Sequence, residues 1–189
     1  MHSKRKEAYV EVLRRIKQEL PGLTIPAYMG DYDRAMRDAV AAEFPEARIY
    51  GCWFHFSQAL TKYASRPHVG LAKAIKIRGP IRRRFLPFTS LALLPPGEIP
   101  AVFEELAQQA IQVDQRFVQF VNYIRSFWLG EIGALGISVH RAPCRTNNGV
   151  ESHNATLLRR SLKKHGKLWN LVGEPQFTPY IIPVTPSAL

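Results

Sequence analysis

The chain has 189 residues, 46% of them hydrophobic and 11% aromatic, enough for one domain with a sizeable core and against wholesale disorder. A formal net charge of +11 makes a polyanion the expected partner, nucleic acid first and an acidic membrane surface second. No apolar run reaches the roughly 18 residues of a membrane span, the Met1–Glu7 start has no signal-peptide core, and Cys52 and Cys144 do not make a disulfide scaffold, so a reduced compartment without secretion is expected.

From Lys4 to Leu20 the apolar residues Tyr9, Val12, Leu13, Ile16 and Leu20 fall at helical spacing, and Pro21-Gly22 ends the run. Leu23 to Met29 is short, partly β-branched and bounded by turns, which predicts a strand delivering Gly30-Asp31-Tyr32-Asp33 at its end. A helix follows from about Asp33 to Phe44, with Ala35, Met36, Ala39, Val40 and Phe44 as its buried stripe, and Pro45 stops it. Arg48 to Gly51 reads as a second strand, followed by Cys52-Trp53-Phe54-His55-Phe56 opening a third helix. This alternation predicts an α/β layer.

Between about residues 58 and 130 helical periodicity dominates, broken at Gly79-Pro80, Leu94-Pro95-Pro96-Gly97 and Gly130. Pro100 to Ile111 and Asp114 to Trp128 read as two amphipathic helices joined by a short turn. A mainly helical insertion in an α/β fold is the simplest account. Val150 to Lys164 resumes as a helix, and residues 174–189 read as an irregular proline-containing tail.

The charge is uneven. No acid occurs between Glu46 and Glu98, while Arg48, Lys62, Arg66, Lys73, Lys76, Arg78, Arg82, Arg83 and Arg84 do. Such a stretch is either a solvated face or an anion-binding surface, and the complete absence of acids favours the second. Phosphate contacts of this kind give salt-sensitive, sequence-independent affinity. A second basic window holds Arg141, Arg145, Arg159, Arg160, Lys163, Lys164 and Lys167, with Glu151 its lone acid between Glu131 and Glu174.

Three constellations can carry chemistry. Asp31 follows a strand and a glycine, where open α/β sheets expose catalytic groups; Asp31 or Asp33 can equally cap the next helix, with Asp33 the better cap. Glu151 in a first helical turn suits the helix dipole, but paired with Asp31 it can hold a divalent cation against phosphate oxygens. Cys52-x-x-His55 places both side chains on one helical turn. Cys144 and His153 can complete a zinc site with them; otherwise Cys52 is a small buried hydrophobe.

The order Gly-Asp-Tyr-Asp-Arg-Ala-Met (30–36), Phe44-Pro45, Gly-Cys-Trp-Phe-His-Phe-Ser-Gln-Ala-Leu (51–60) and Arg-Thr-Asn-Asn-Gly-Val-Glu-Ser-His-Asn (145–154) resembles the MULE (Mutator-like element) transposase domain. Leu86 to Pro96, Phe127-Trp128-Leu129-Gly130 and Lys167-Leu168-Trp169 fit the same pattern, so the likeness runs from about Tyr9 to Leu171 within a domain of residues 1–173.

The resemblance implies a partial ribonuclease-H-like α/β fold with its helical insertion between the second aspartate and the glutamate. It also implies an Asp-Asp-Glu triad holding Mg²⁺ or Mn²⁺, DNA as the partner, and a nuclear location. Asp31 would be the second aspartate, Glu151 the glutamate, and Cys52 with His55 the Cys-x-x-His signature. Lys73, Lys76, Arg78, Arg82, Arg83, Arg84, Arg145, Arg159, Arg160, Lys163 and Lys164 are the expected DNA contacts.

No residue matches the first aspartate, which in the family precedes a helix like Lys4–Leu20. The expectation is therefore an N-terminally truncated domain with about two parallel strands, a partly uncovered sheet face that invites self-association, and no strand transfer by the chain alone. The alternatives are a non-catalytic transposase-derived DNA-binding or regulatory protein, and a small zinc-binding module.

Overall fold

A computed structural model of the chain describes residues 5–152 and residue 155. The chain divides into two compact units, Met1–Asn147 and Asn148–Leu189. The expected tail 174–189, His153, and most of the helix expected over Val150 to Lys164 lie outside the described residues.

In the first unit, helix α1 (Lys6–Glu19) packs on α2 (Arg34–Glu43). Tyr9, Val10 and Leu13 are half-buried, whereas Val12, Ile16 and Leu20 of the expected apolar stripe are exposed. With α2 as its principal neighbour, α1 covers a strip narrower than its apolar face. Its basic side chains fasten the far end of α2: Arg14 Nε meets Glu43 Oε1 at 2.9 Å, and Lys17 Nζ donates to the Glu43 carbonyl at 2.7 Å. A cation there complements the negative end of the helix dipole.

The sheet has two parallel strands, β1 (Ala27–Gly30) and β2 (Arg48–Gly51), in register from Ala27 opposite Arg48 to Gly30 opposite Gly51. Strand β2 occupies its expected residues. Strand β1 begins later than the expected Leu23, because pairing starts at Pro26, whose carbonyl accepts the Arg48 N–H at 3.0 Å while its ring nitrogen has no hydrogen to give. Helix α2 is the crossover between the strands. Asp33 caps it, accepting the Met36 N–H at 3.1 Å, and it buries Ala39 and Val40. Helix α3 (Trp53–Ala64) leaves the sheet at Cys52 and buries Phe56, Leu60 and Ala64. Helix and parallel sheet together make the first unit α/β.

Beyond α3 the first unit is helical, with two departures from the expected periodicity. Helix α3 stops at Ala64, and residues 65–79 form turns around Pro67 and Gly70 (φ +71°) before Pro80 opens α4 (Pro80–Ser90). Leu71 and Ile75 are nevertheless buried. A 3₁₀ turn (Leu91–Leu93) leads to α5 (Ile99–Val113) and α6 (Phe117–Tyr123). The helix expected from Asp114 to Trp128 is divided: α6 passes at Ile124 into a π-helical stretch (Ile124–Ile132), which α7 (Gly133–Ile137) follows. Gly133 N–H donates to the Trp128 carbonyl, and its φ of 78° with ψ of 155° belongs to a region that glycine alone occupies readily.

The core is strongly aromatic. Phe88 meets Phe103, Phe117 and Phe120 at 5.3–6.4 Å, and Phe56 and Trp128 join them in one buried cluster. After α7, Ser138 Oγ donates to the Leu94 carbonyl and Val139 N–H to that of Ala92, both at 2.7 Å.

Candidate functional site

Both strands end in glycine, and the two glycines face each other at the C-terminal edge of the sheet. The Tyr28 ring lies over Gly30, and the Tyr32 ring lies over Gly51 so closely that any Cβ there would collide with it. Asp31 follows Gly30 and is exposed, and its Oδ1 accepts the Asp33 N–H at 3.3 Å. Burial raises the Tyr28 phenol above the ordinary tyrosine range, and the neighbouring negative charge of Asp31 raises it further.

Arg37 faces the same turn. Its guanidinium lies 5.4 Å from the centre of the Tyr32 ring, and its buried Nη1 has no hydrogen-bond partner among the described residues. Tyr32 is held from behind by Trp128, edge to face at 4.6 Å and 86°, and Trp128 meets Phe56 the same way at 4.8 Å. The helical part of the unit thus braces the turn that carries Asp31. Trp53 adds a tie, donating its indole N–H to the Thr89 carbonyl at 2.7 Å.

Cys52 is fully buried and prolongs the strand pairing, its N–H donating to the Gly30 carbonyl at 2.7 Å. His55 is half-buried on the first turn of α3, with its ring 5.6 Å from Phe54. Cys144 is exposed. The segment leading out of the unit closes on this corner, since Trp53 N–H donates to the Arg145 carbonyl at 2.9 Å. Glu151, in the second unit, is exposed within a helical stretch over 148–152.

The carboxylate oxygens of Asp31 are the hard donors that Mg²⁺ or Mn²⁺ prefers. Among the described residues, however, no three His, Cys, Asp or Glu side chains come together to hold an ion. The donor chemistry of Asp31 fits a divalent cation.

The basic residues divide by role. Lys73, Lys76 and Arg78 are exposed on the turns before α4, and Arg83 and Arg84 on α4 itself. Arg82 is half-buried and donates to the carbonyls of Ile75 (2.9 Å) and Lys76 (3.4 Å), so it shapes the turn that presents the lysines. Arg84 donates to Gln109 at 2.6 Å, and Arg145 is exposed. Arg159, Arg160, Lys163 and Lys164 lie outside the described residues.

Sequence reasoning missed Tyr32, Arg37 and Trp128. Two strands each ending in glycine, one followed by Asp-Tyr, were the available signal for a crowded sheet edge.

Burial also lifts the Tyr32 phenol well above the tyrosine range, with Arg37 pulling weakly the other way. The folded chain therefore holds this proton more tightly than the unfolded one. The resulting stability is complete below about pH 10 and is lost as pH rises further. Tyr32→Phe should reduce that alkaline loss without abolishing it, because Tyr28 and Tyr123 are raised too. Urea midpoints from pH 8 to 11 test this, and parallel curves for the two proteins would refute it.

A family model described as the MULE transposase domain matches residues 1–59. The matched stretch includes both strands, α2 and the start of α3, and so contains Asp31, Cys52 and His55; Glu151 lies beyond it. No curated protein and no solved structure matches the chain.

Proposed function

We propose that the chain is the DNA-handling part of a Mutator-like transposase, with a ribonuclease-H-like arrangement in which Asp31 and Glu151 are the carboxylates that would hold Mg²⁺ or Mn²⁺. The observation that carries this reading is Asp31 itself: an exposed carboxylate at the C-terminal edge of a parallel sheet, inside the matched segment. When bound, the cation would supply charge neutralisation at a DNA phosphate. The chain's own residues do the rest. Tyr32 and Trp128 fix the Asp31 turn, Cys52 locks the second strand to it, and Lys73, Lys76, Arg78, Arg83 and Arg84 track the phosphate backbone.

Two carboxylates are fewer than a two-metal site uses. We therefore infer that the chain alone binds DNA without cutting and rejoining it. A purely non-catalytic DNA-binding or regulatory role is the second reading, favoured by the exposed basic turns in an acid-free stretch. One experiment addresses both. Duplex binding should weaken steeply with salt, and alanine at Lys73, Lys76 and Arg78 together should lower the slope of log K against log salt by about 0.9 per lost contact. Asp31→Asn and Glu151→Gln should leave the slope unchanged, with plasmid nicking at background in Mg²⁺ or Mn²⁺. Metal-dependent nicking abolished by Asp31→Asn would overturn the inactive assignment, and undetectable duplex binding at moderate salt would overturn both readings.

A further inference from the structure

The turns before α4 hold out one apolar side chain among their bases. Ile77 is 66% exposed and stands between the exposed Lys76 and Arg78, in the acid-free stretch between Glu46 and Glu98. The chain is fixed on both sides of it. Ile75, two residues earlier, is buried in the core, and its N–H donates to the Leu71 carbonyl at 3.0 Å. Lys76 N–H donates to the Lys73 carbonyl at 3.2 Å, and Arg82 reaches back from α4 to the carbonyls of Ile75 and Lys76. Pro80 opens α4 three residues after Ile77. A lone exposed hydrophobic is ordinary, and Leu135 is as exposed, but its neighbours Ala134 and Gly136 carry no charge. Ile77 differs in having a cation on each side and a braced turn behind it.

We propose that Ile77 is a wedge that enters the minor groove, parts two stacked base pairs and bends the duplex, while Lys76 and Arg78 hold the phosphates on either side. Apolar side chains of this kind kink DNA by about 20–90°. The β-branched side chain is stiff at χ1, so insertion costs it little freedom. The bonds from Arg82 and the burial of Ile75 let α4 and the core bear the force of insertion, which a loose loop would yield to. The flanking cations draw the phosphate backbone toward the tip, and that attraction offsets the cost of unstacking. Such a wedge reads how easily a step deforms and makes no use of base edges. Pyrimidine–purine steps such as TA part most easily, and stiff A-tracts resist, so the site should favour the first over the second.

The wedge rests on the DNA-binding reading above, and its test separates the two. The full chain is mixed with two end-labelled duplexes of equal length, one with a central TA step and one with an A-tract in its place. Energy transfer between the ends reads the bend. The wild-type chain should bend the TA duplex by about 20° or more and bind it at least about threefold tighter than the A-tract duplex. Ile77→Ala should abolish both the bend and the preference. It should keep the urea midpoint, since the side chain is exposed, and the slope of log K against log salt, since no phosphate contact is lost. Ile77→Leu should keep the bend. A wild-type complex with straight TA duplex, or a bend that survives Ile77→Ala, overturns the wedge and leaves duplex binding standing. Binding to phosphatidylserine vesicles that Ile77→Ala abolishes, with the TA duplex left straight, overturns it in favour of a membrane contact. Binding to neither duplex overturns the DNA reading together with it.

Discussion

Trp128→Ala should lose about 3–5 kcal/mol of folding stability, the largest single effect expected in the first unit. The indole is 2% exposed and touches three rings edge to face: Tyr32 at 4.6 Å, Phe56 at 4.8 Å and Phe127 at 5.2 Å. Alanine leaves a cavity between rings supplied by the Asp31 turn, α3 and the π-helical stretch itself. Against a typical total of about 5–15 kcal/mol, such a loss brings the fold near its limit. Trp128→Phe should cost less, because it keeps part of the volume and an aromatic edge. Urea denaturation of the three proteins gives the values. A loss under about 1 kcal/mol for the alanine variant would mean that the tryptophan is not the keystone described above.

Gly51→Ala is the second. Its new methyl falls on the Tyr32 ring, and that ring cannot swing aside because Trp128 backs it and its hydroxyl is buried. Overpacking of this kind costs about 1–3 kcal/mol. Since the clash is with a side chain, Tyr32→Ala should relieve it: the double variant should be more stable than the sum of the two single losses implies. Strict additivity would refute the contact. Gly30→Ala should be milder, because the Tyr28 ring it meets is half-buried and freer to move.

The α/β part was legible because its signals are local. Pro45 stops α2, Asp33 caps it, and Arg48–Gly51 is bounded on both sides, so the sequence predicts these elements to within a residue or two. Strand β1 was placed too early because β-branched Thr24 and Ile25 outweighed the proline that follows them. Residues 65–79 fell inside the stretch where helical periodicity was expected to dominate; Leu71 and Ile75 stand four apart there, a turn crossing the core buries the same spacing, and periodicity cannot separate the two cases. The same ambiguity hid the π-helical stretch: Phe120, Ile124 and Trp128 are four apart under either bonding pattern. At the candidate site Asp31 was readable from its place after a strand. The groups that hold it were not, because Tyr32 meets Gly51 and Trp128 only through contacts distant in the chain.

The π-helical stretch sets a phase. Its last bond runs from Gly133 N–H to the Trp128 carbonyl, five residues back, where an α-helix would reach back only four. The path from α6 to α7 therefore contains a residue that α-helical bonding would not need. Each residue turns an α-helix by about 100°, so removing one here would rotate all that follows relative to α6. Ile137, Ser138 and Val139, which reach the core and the Leu91–Leu94 turn, would then face elsewhere. The inward direction of the chain after Gly133 is thus counted out upstream, in a stretch whose own side chains give no hint of the count.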